Sequence, residues 1–171
     1  MKQRLVIVDD SPLIRTMLRD MLGSDPSIEV VGIAKDGQEG ISMIQKLKPD
    51  VVTMDVEMPV RNGLSALKEV MATQPTPVIM VSTLTYAGAE ATVEALAAGA
   101  YDFVCKPNNG AIREFRTVRD ELVVKIHAAR GAKVHVQTAP PARVKALSAT
   151  SDRVIVIASS TGGPRALSSL W

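Results

Sequence analysis

At 171 residues the chain is long enough for one full domain and a piece of another, and its formal charge of +2 is too small to argue for nucleic-acid binding. A single cysteine, Cys105, excludes an internal disulfide and fits a reducing compartment. No apolar run approaches the roughly 18 residues of a membrane span, and the short apolar run after Met1-Lys2-Gln3-Arg4 is too brief for a signal peptide, so the expectation is a cytoplasmic protein with no membrane insertion and no nucleic-acid partner.

Hydrophobic residues make up 46% of the chain but aromatics only 3%, so the core must be aliphatic. Leu5-Val6-Ile7-Val8 is a continuous apolar run, as expected of a parallel strand buried on both faces, and Asp9-Asp10 ends it. Ser11-Pro12 then starts a helix, with Ser11 as N-cap. Leu13, Ile14, Met17, Leu18, Met21 and Leu22 follow at helical spacing up to Gly23. Residues 28–34 read as a second strand. Asp36-Gly37 opens a second helix with Ile41, Ile44 and Leu47 inward. Val51-Val52-Thr53-Met54 leads into Asp55, and Met58-Pro59 turns the chain out of this third strand.

A third helix carries Leu64, Leu67, Val70 and Met71 inward, and Pro75-Thr76-Pro77 breaks it. Residues 78–81 form a fourth strand that ends at Ser82-Thr83. The alanine-rich stretch 89–98 reads as a fourth helix with Val93 and Leu96 as its main apolar contacts. A fifth strand, residues 101–105, precedes Lys106-Pro107. A last helix over about 112–129 places Ile112, Phe115, Val118, Leu122 and Ile126 in register. Strict alternation of this kind predicts an α/β fold: a doubly wound, five-stranded parallel sheet with right-handed crossovers, order 2-1-3-4-5, flavodoxin-like.

Residues 131–152 contain Pro140-Pro141, scattered basic residues and no periodicity, and read as a flexible linker. Val154-Ile155-Val156-Ile157 starts a new strand, and Ser159-Ser160-Thr161-Gly162-Gly163-Pro164 turns into a helix start. The expected division is therefore a domain over 1–130, a linker over 131–152 and the first strand-turn-helix of a second α/β domain over 153–171.

In the order 2-1-3-4-5 the first and third strands are neighbours, which brings Asp9, Asp10 and Asp55 together at the carboxyl edge of the sheet. Three close carboxylates repel unless a cation shares the site. An all-oxygen donor set with few protein ligands suits Mg²⁺, with Asp10, Asp55 and the backbone carbonyl of Glu57 as ligands and Asp9 acting through a bound water. Beside such an ion a carboxylate can attack phosphorus and form an aspartyl phosphate. Lys106 can supply a positive charge to phosphoryl oxygens and Ser82 a hydroxyl donor. A cis bond at Lys106-Pro107 would aim that lysine inward.

Val8-Asp9-Asp10-Ser11, the stretch Met54 to Gly63, Ser82-Thr83 and Cys105-Lys106-Pro107 together resemble the receiver domains of two-component response regulators, over about residues 3–128. The resemblance implies Asp55 as phospho-acceptor, a histidine kinase as donor, Ser82 drawn toward the phosphate, and Phe103 at the position of an aromatic switch. On its residues alone, the Ser159 to Pro164 loop is a structural turn first. Joined to a receiver and a linker it resembles the start of a chemotaxis protein-glutamate methylesterase domain, which acts on chemoreceptor glutamates and also deamidates glutamines. That resemblance implies Ser160 as nucleophile. The later histidine and aspartate of such a triad are absent: His127 and His135 both precede Ser160. The chain itself is thus expected to be inactive as an esterase, with its receiver controlling its own catalytic domain in a longer parent. The alternatives are a stand-alone or DNA-binding response regulator with an unrelated tail, and an aspartyl-phosphate phosphatase, which calls for Asp-X-Asp where this chain has adjacent acids.

Overall fold

The computed structural model describes residues 1–83, 86–106 and 112–132, with only the backbone at 83, 86–90 and 112–115. The expected linker from residue 133 on, Ser160 and the expected second strand-turn-helix lie outside the described residues. The chain divides into two units, Met1–Val136 and Gln137–Trp171, and everything described belongs to the first.

The elements alternate throughout: β1 (Gln3–Val8), α1 (Pro12–Gly23), β2 (Ile28–Ala34), α2 (Gly37–Leu47), β3 (Val51–Asp55), α3 (Gly63–Thr73), β4 (Val78–Thr83), α4 (Tyr86–Ala97), β5 (Asp102–Lys106) and α5 (Ile112–Ala128). All pairings are parallel and the order is β2-β1-β3-β4-β5, as expected.

Period-2 side-chain alternation splits the core into two layers. Val6, Val8, Val52, Met54, Val78 and Met80 pack under α2, α3 and α4 with Ile44, Leu67, Val70 and Leu96. Leu5, Ile7, Val51, Ile79, Val81 and Val104 pack on the other face with Leu18, Leu22, Leu122 and Ile126 of α1 and α5. Each strand is apolar on both faces because each face meets helices. Leu122 is fully buried, so Leu122→Ala is expected to cost about 2–5 kcal/mol, read as a lower urea midpoint.

Helix starts follow their caps. Ser11 accepts from the Ile14 N–H, Asp36 from Glu39 and Asn62 from Ser65. Two assignments of inward apolar residues are corrected. Leu13 is 67% exposed and Val93 58% exposed. Leu13 stands off the stripe of Ile14, Leu18 and Leu22 (i, i+4, i+8) that α1 turns toward the sheet. Alanine-rich α4 buries Ala95 and Leu96 instead, which leaves Val93 on the outer side.

The far end of the sheet ties down α5. Buried Gln3 donates from Nε2 to the Ile126 carbonyl (2.6 Å), and Arg130 reaches the Met1 carbonyl (3.4 Å). His127 Nε2 lies 3.2 Å from Ser27 Oγ and 3.8 Å from Asp25 Oδ2. The Ser27 hydroxyl and backbone N–H bonds to Asp25 hold that carboxyl below the ordinary range.

Candidate phosphoryl-transfer site

The site lies at the carboxyl ends of β1, β3 and β5. Asp9, one residue past β1, is 1% exposed. Its Oδ1 accepts from the Ser11 N–H (2.9 Å), so the carboxylate is fixed by the turn that starts α1. Asp10 follows and is exposed. Arg15, one turn into α1, donates from Nη1 to the carbonyl oxygens of both Asp9 and Asp10 at 2.8 Å each. Asp55, the last residue of β3, is buried, and its Oδ1 accepts from the Val56 N–H (2.8 Å).

Because β1 and β3 are adjacent, Asp9, Asp10 and Asp55 each offer a carboxylate oxygen within 4.8 Å of the others. Lys106, at the end of β5, reaches across: its Nζ lies 2.7 Å from Asp55 Oδ2 and 2.7 Å from Asp9 Oδ2. The contact to Asp55 is a hydrogen bond. The contact to Asp9 is off the hydrogen-bonding direction, which leaves Asp9 Oδ2 buried with an ion pair and no hydrogen bond among the described residues. Burial pushes the Asp55 carboxyl up from its usual range, and the Lys106 ammonium only partly offsets this. Burial alone would lower Lys106, but Asp55 and Asp9 outweigh it and hold the ammonium above its ordinary value.

The loop after β3 forms the other wall. Gly63 donates its N–H to the Val56 carbonyl (2.9 Å), folding the loop back onto the strand end. Val60 takes a left-handed φ of 64° and is 87% exposed, a strained placement for a β-branched residue. A cleft of about 550 Å³ opens beside the acids, lined by Asp10, Glu57, Met58, Pro59 and Ala91 among others. Ser82 is buried on β4, one residue past Val81, the register partner of Asp55, and opposite Cys105. Phe103 is half-buried on β5, packed against the α2–α4 core layer.

The geometry therefore gathers Asp9, Asp10, Asp55 and Lys106 directly and leaves Ser82 and Glu57 at the rim. Ser160 and the Lys106–Pro107 bond fall outside the described residues. Arg15, Gly63 and Lys125 were not expected to matter. The sequence hints available were an arginine one turn after an acidic pair and a glycine directly after the Asn62 cap.

Residues 5–115 match the response regulator receiver domain, and the chain belongs to that family. Among solved structures it is similar to the response regulator domain of Thermotoga maritima CheB, at 48% identity over 78% of this chain and 99% of that one, with a TM-score of 0.72. Among curated proteins it is 45% identical to a protein-glutamate methylesterase/protein-glutamine glutaminase of Symbiobacterium thermophilum, over 96% of this chain and 50% of that protein. A protein of the same description from Pyrococcus abyssi is 46% identical, over 97% of this chain and 47% of that protein. The chain spans about half the length of these curated relatives.

Proposed function

We propose that Asp55 accepts a phosphoryl group from a histidine kinase and that the occupied receiver regulates a methylesterase carried on the same, longer protein. The observation that supports this most is the Lys106 ammonium held 2.7 Å from two buried strand-end carboxylates, Asp9 and Asp55, with Asp10 beside them.

The donor set suits a hard divalent cation. It is all oxygen, clustered within 4.8 Å, and includes Asp9 Oδ2 without a hydrogen bond. Asp10, Asp55 and the Glu57 carbonyl would hold Mg²⁺, with Asp9 acting through water. When bound, Mg²⁺ offsets charge on the phosphoryl oxygens. The chain's own residues do the remainder. The Val56 N–H fixes Asp55 Oδ1, leaving Oδ2 to attack. A new O–P bond forms as the donor's bond to phosphorus breaks, and the leaving group keeps the electron pair. Lys106 then pairs with a phosphoryl oxygen in place of Asp55 Oδ2, and the Ser82 hydroxyl donates to another.

The division into a receiver over 1–130, a linker over 131–152 and the start of an esterase domain over 153–171, with Ser160 as nucleophile, is part of the same reading. So are chemoreceptors as substrates, Phe103 as a switch residue and a cytoplasmic location. The esterase part of this reading is supported by the curated relatives, which are about twice as long as this chain and described as methylesterases. Among the described residues no helix is long and apolar enough to cross a membrane.

Incubation with a small phosphodonor and Mg²⁺ should add one phosphoryl group to the intact mass. EDTA or Asp55→Asn should abolish the gain. An equal gain in Asp55→Asn would overturn the assignment.

A further inference from the structure

β5 is an edge strand paired only with β4, and edge strands expose unpaired backbone groups. At Phe103 those groups are taken by side chains. Its N–H donates to Asp102 Oδ1 (2.8 Å), and its carbonyl accepts from Lys125 Nζ of α5 (2.5 Å). The same ammonium lies 3.1 Å from Asp102 Oδ1 and 2.9 Å from Glu121 Oε1, and stands 5.2 Å from the Phe103 ring centroid. One lysine thus holds Phe103 by main chain and ring together, with three oxygen partners for its three donors. Only 20% of the Lys125 side chain is exposed. Burial alone would lower its pKa, but Glu121 and Asp102 outweigh this and keep it charged.

Three residues further on, the same strand ends in Lys106. A phosphoryl group on Asp55 Oδ2 takes the place of the 2.7 Å contact to Lys106, so Lys106 must re-seat and the end of β5 must adjust. β4 restrains the strand on one side and Lys125 on the other. We propose that Lys125 is a positioning residue that braces β5 at Phe103 and opposes the strand adjustment that phosphoryl occupancy at Asp55 demands. This rests on the acceptor reading given above and adds the restraint against which that occupancy acts.

Beryllofluoride with Mg²⁺, a non-covalent phosphoryl analogue, is the probe, titrated into the full chain while the Phe103 amide and ring signals are followed by NMR. In Lys125→Met the midpoint should fall about two- to five-fold, the factor a partly exposed cation–π contact supplies to the resting state. Lys125→Arg keeps the charge and stacks on aromatic rings, so it should stay close to wild type. A purely structural lysine would lower the unfolding temperature of Lys125→Met and leave its midpoint unchanged or raised, and that result overturns the proposal. If wild type fails to respond to the analogue, or Asp55→Asn responds equally, the acceptor reading falls and the brace with it. If wild type responds and Lys125→Met matches it, the brace alone is removed.

Discussion

Gly63→Ala is expected to destroy the fold of the receiver rather than weaken it. A Cβ at Gly63 would fall on the carbonyl oxygen of Asp55, well inside van der Waals contact, with the Asp55 carbonyl carbon at 2.9 Å and Val56 Cα at 3.2 Å. All three are backbone atoms, so no side-chain rotation relieves the clash. The Gly63 N–H is bonded to the Val56 carbonyl, which pins the start of α3 to the end of β3. Making room means breaking that bond and displacing the acceptor strand. A loss above about 4 kcal/mol follows, a large share of the about 5–15 kcal/mol that holds a domain together. Gly23→Ala is the control: its Cβ meets nothing within 4 Å, and it should stay within about 1 kcal/mol of wild type. Urea unfolding followed by circular dichroism checks both. A Gly63→Ala midpoint equal to that of wild type would show that the loop can open without cost.

Lys106→Met carries the second large effect, and here the medium decides its size. The substitution leaves Asp9 and Asp55 buried and facing each other without their shared cation. Breaking a buried pair this way costs about 3–5 kcal/mol. The deficit depends on pH with a definite sign. Asp55 already has a folded-state pKa above the ordinary carboxylate value of 3.8 because it is buried, and losing Lys106 raises it further. A group of this kind contributes stability that is fully present below 3.8 and is lost as pH rises through its folded pKa. The deficit of the variant should therefore be small in acid and widest at neutral pH. Mg²⁺ held by the same carboxylates, as proposed, should narrow it. Urea midpoints at acid and neutral pH, in EDTA and in Mg²⁺, test this. A deficit that ignores both pH and Mg²⁺ would mean that Lys106 acts through packing of its stem and not through its charge.

The sequence carried the architecture because the strands here are apolar on both faces and the first three helices start on the side-chain caps Ser11, Asp36 and Asn62. Those are local signals; alternation gave the parallel sheet, and the order 2-1-3-4-5 came from the flavodoxin-like class to which the chain was assigned. It also carried Asp9, Asp10, Asp55 and Lys106, since each stands where a hydrophobic run stops. Val93 was misplaced because an alanine-rich helix has a weak apolar stripe; Leu96, named beside it, is buried, together with Ala95. Leu13 is apolar but stands off the Ile14, Leu18 and Leu22 stripe that packs on the sheet, and helical spacing alone did not separate the two. Arg15, Gly63 and Lys125 were missed for a different reason: each acts on a backbone carbonyl of another residue. Backbone carbonyls leave no trace in residue type, so nothing in the sequence marks Lys125 as the partner of Phe103.

The fastening of α5 at Gln3, Ser27 and the Met1 carbonyl sets a constraint on reach. The chain continues from the edge of the sheet opposite the acids, separated from them by the length of a strand, about 17–20 Å for five or six residues. Anything tethered there that is to touch the Asp55 face must double back over that span and spend at least about six extended residues doing so. The anchor also isolates the tether from the site mechanically. A displacement at the tip of β5 is not delivered as a pull on the tether, because hydrogen bonds to β1 and to the turn before β2 hold its root still. On the proposed division of the chain, a tethered partner would then read this domain through the shape of its surface, and tether length would set how often that surface is met, not what it says.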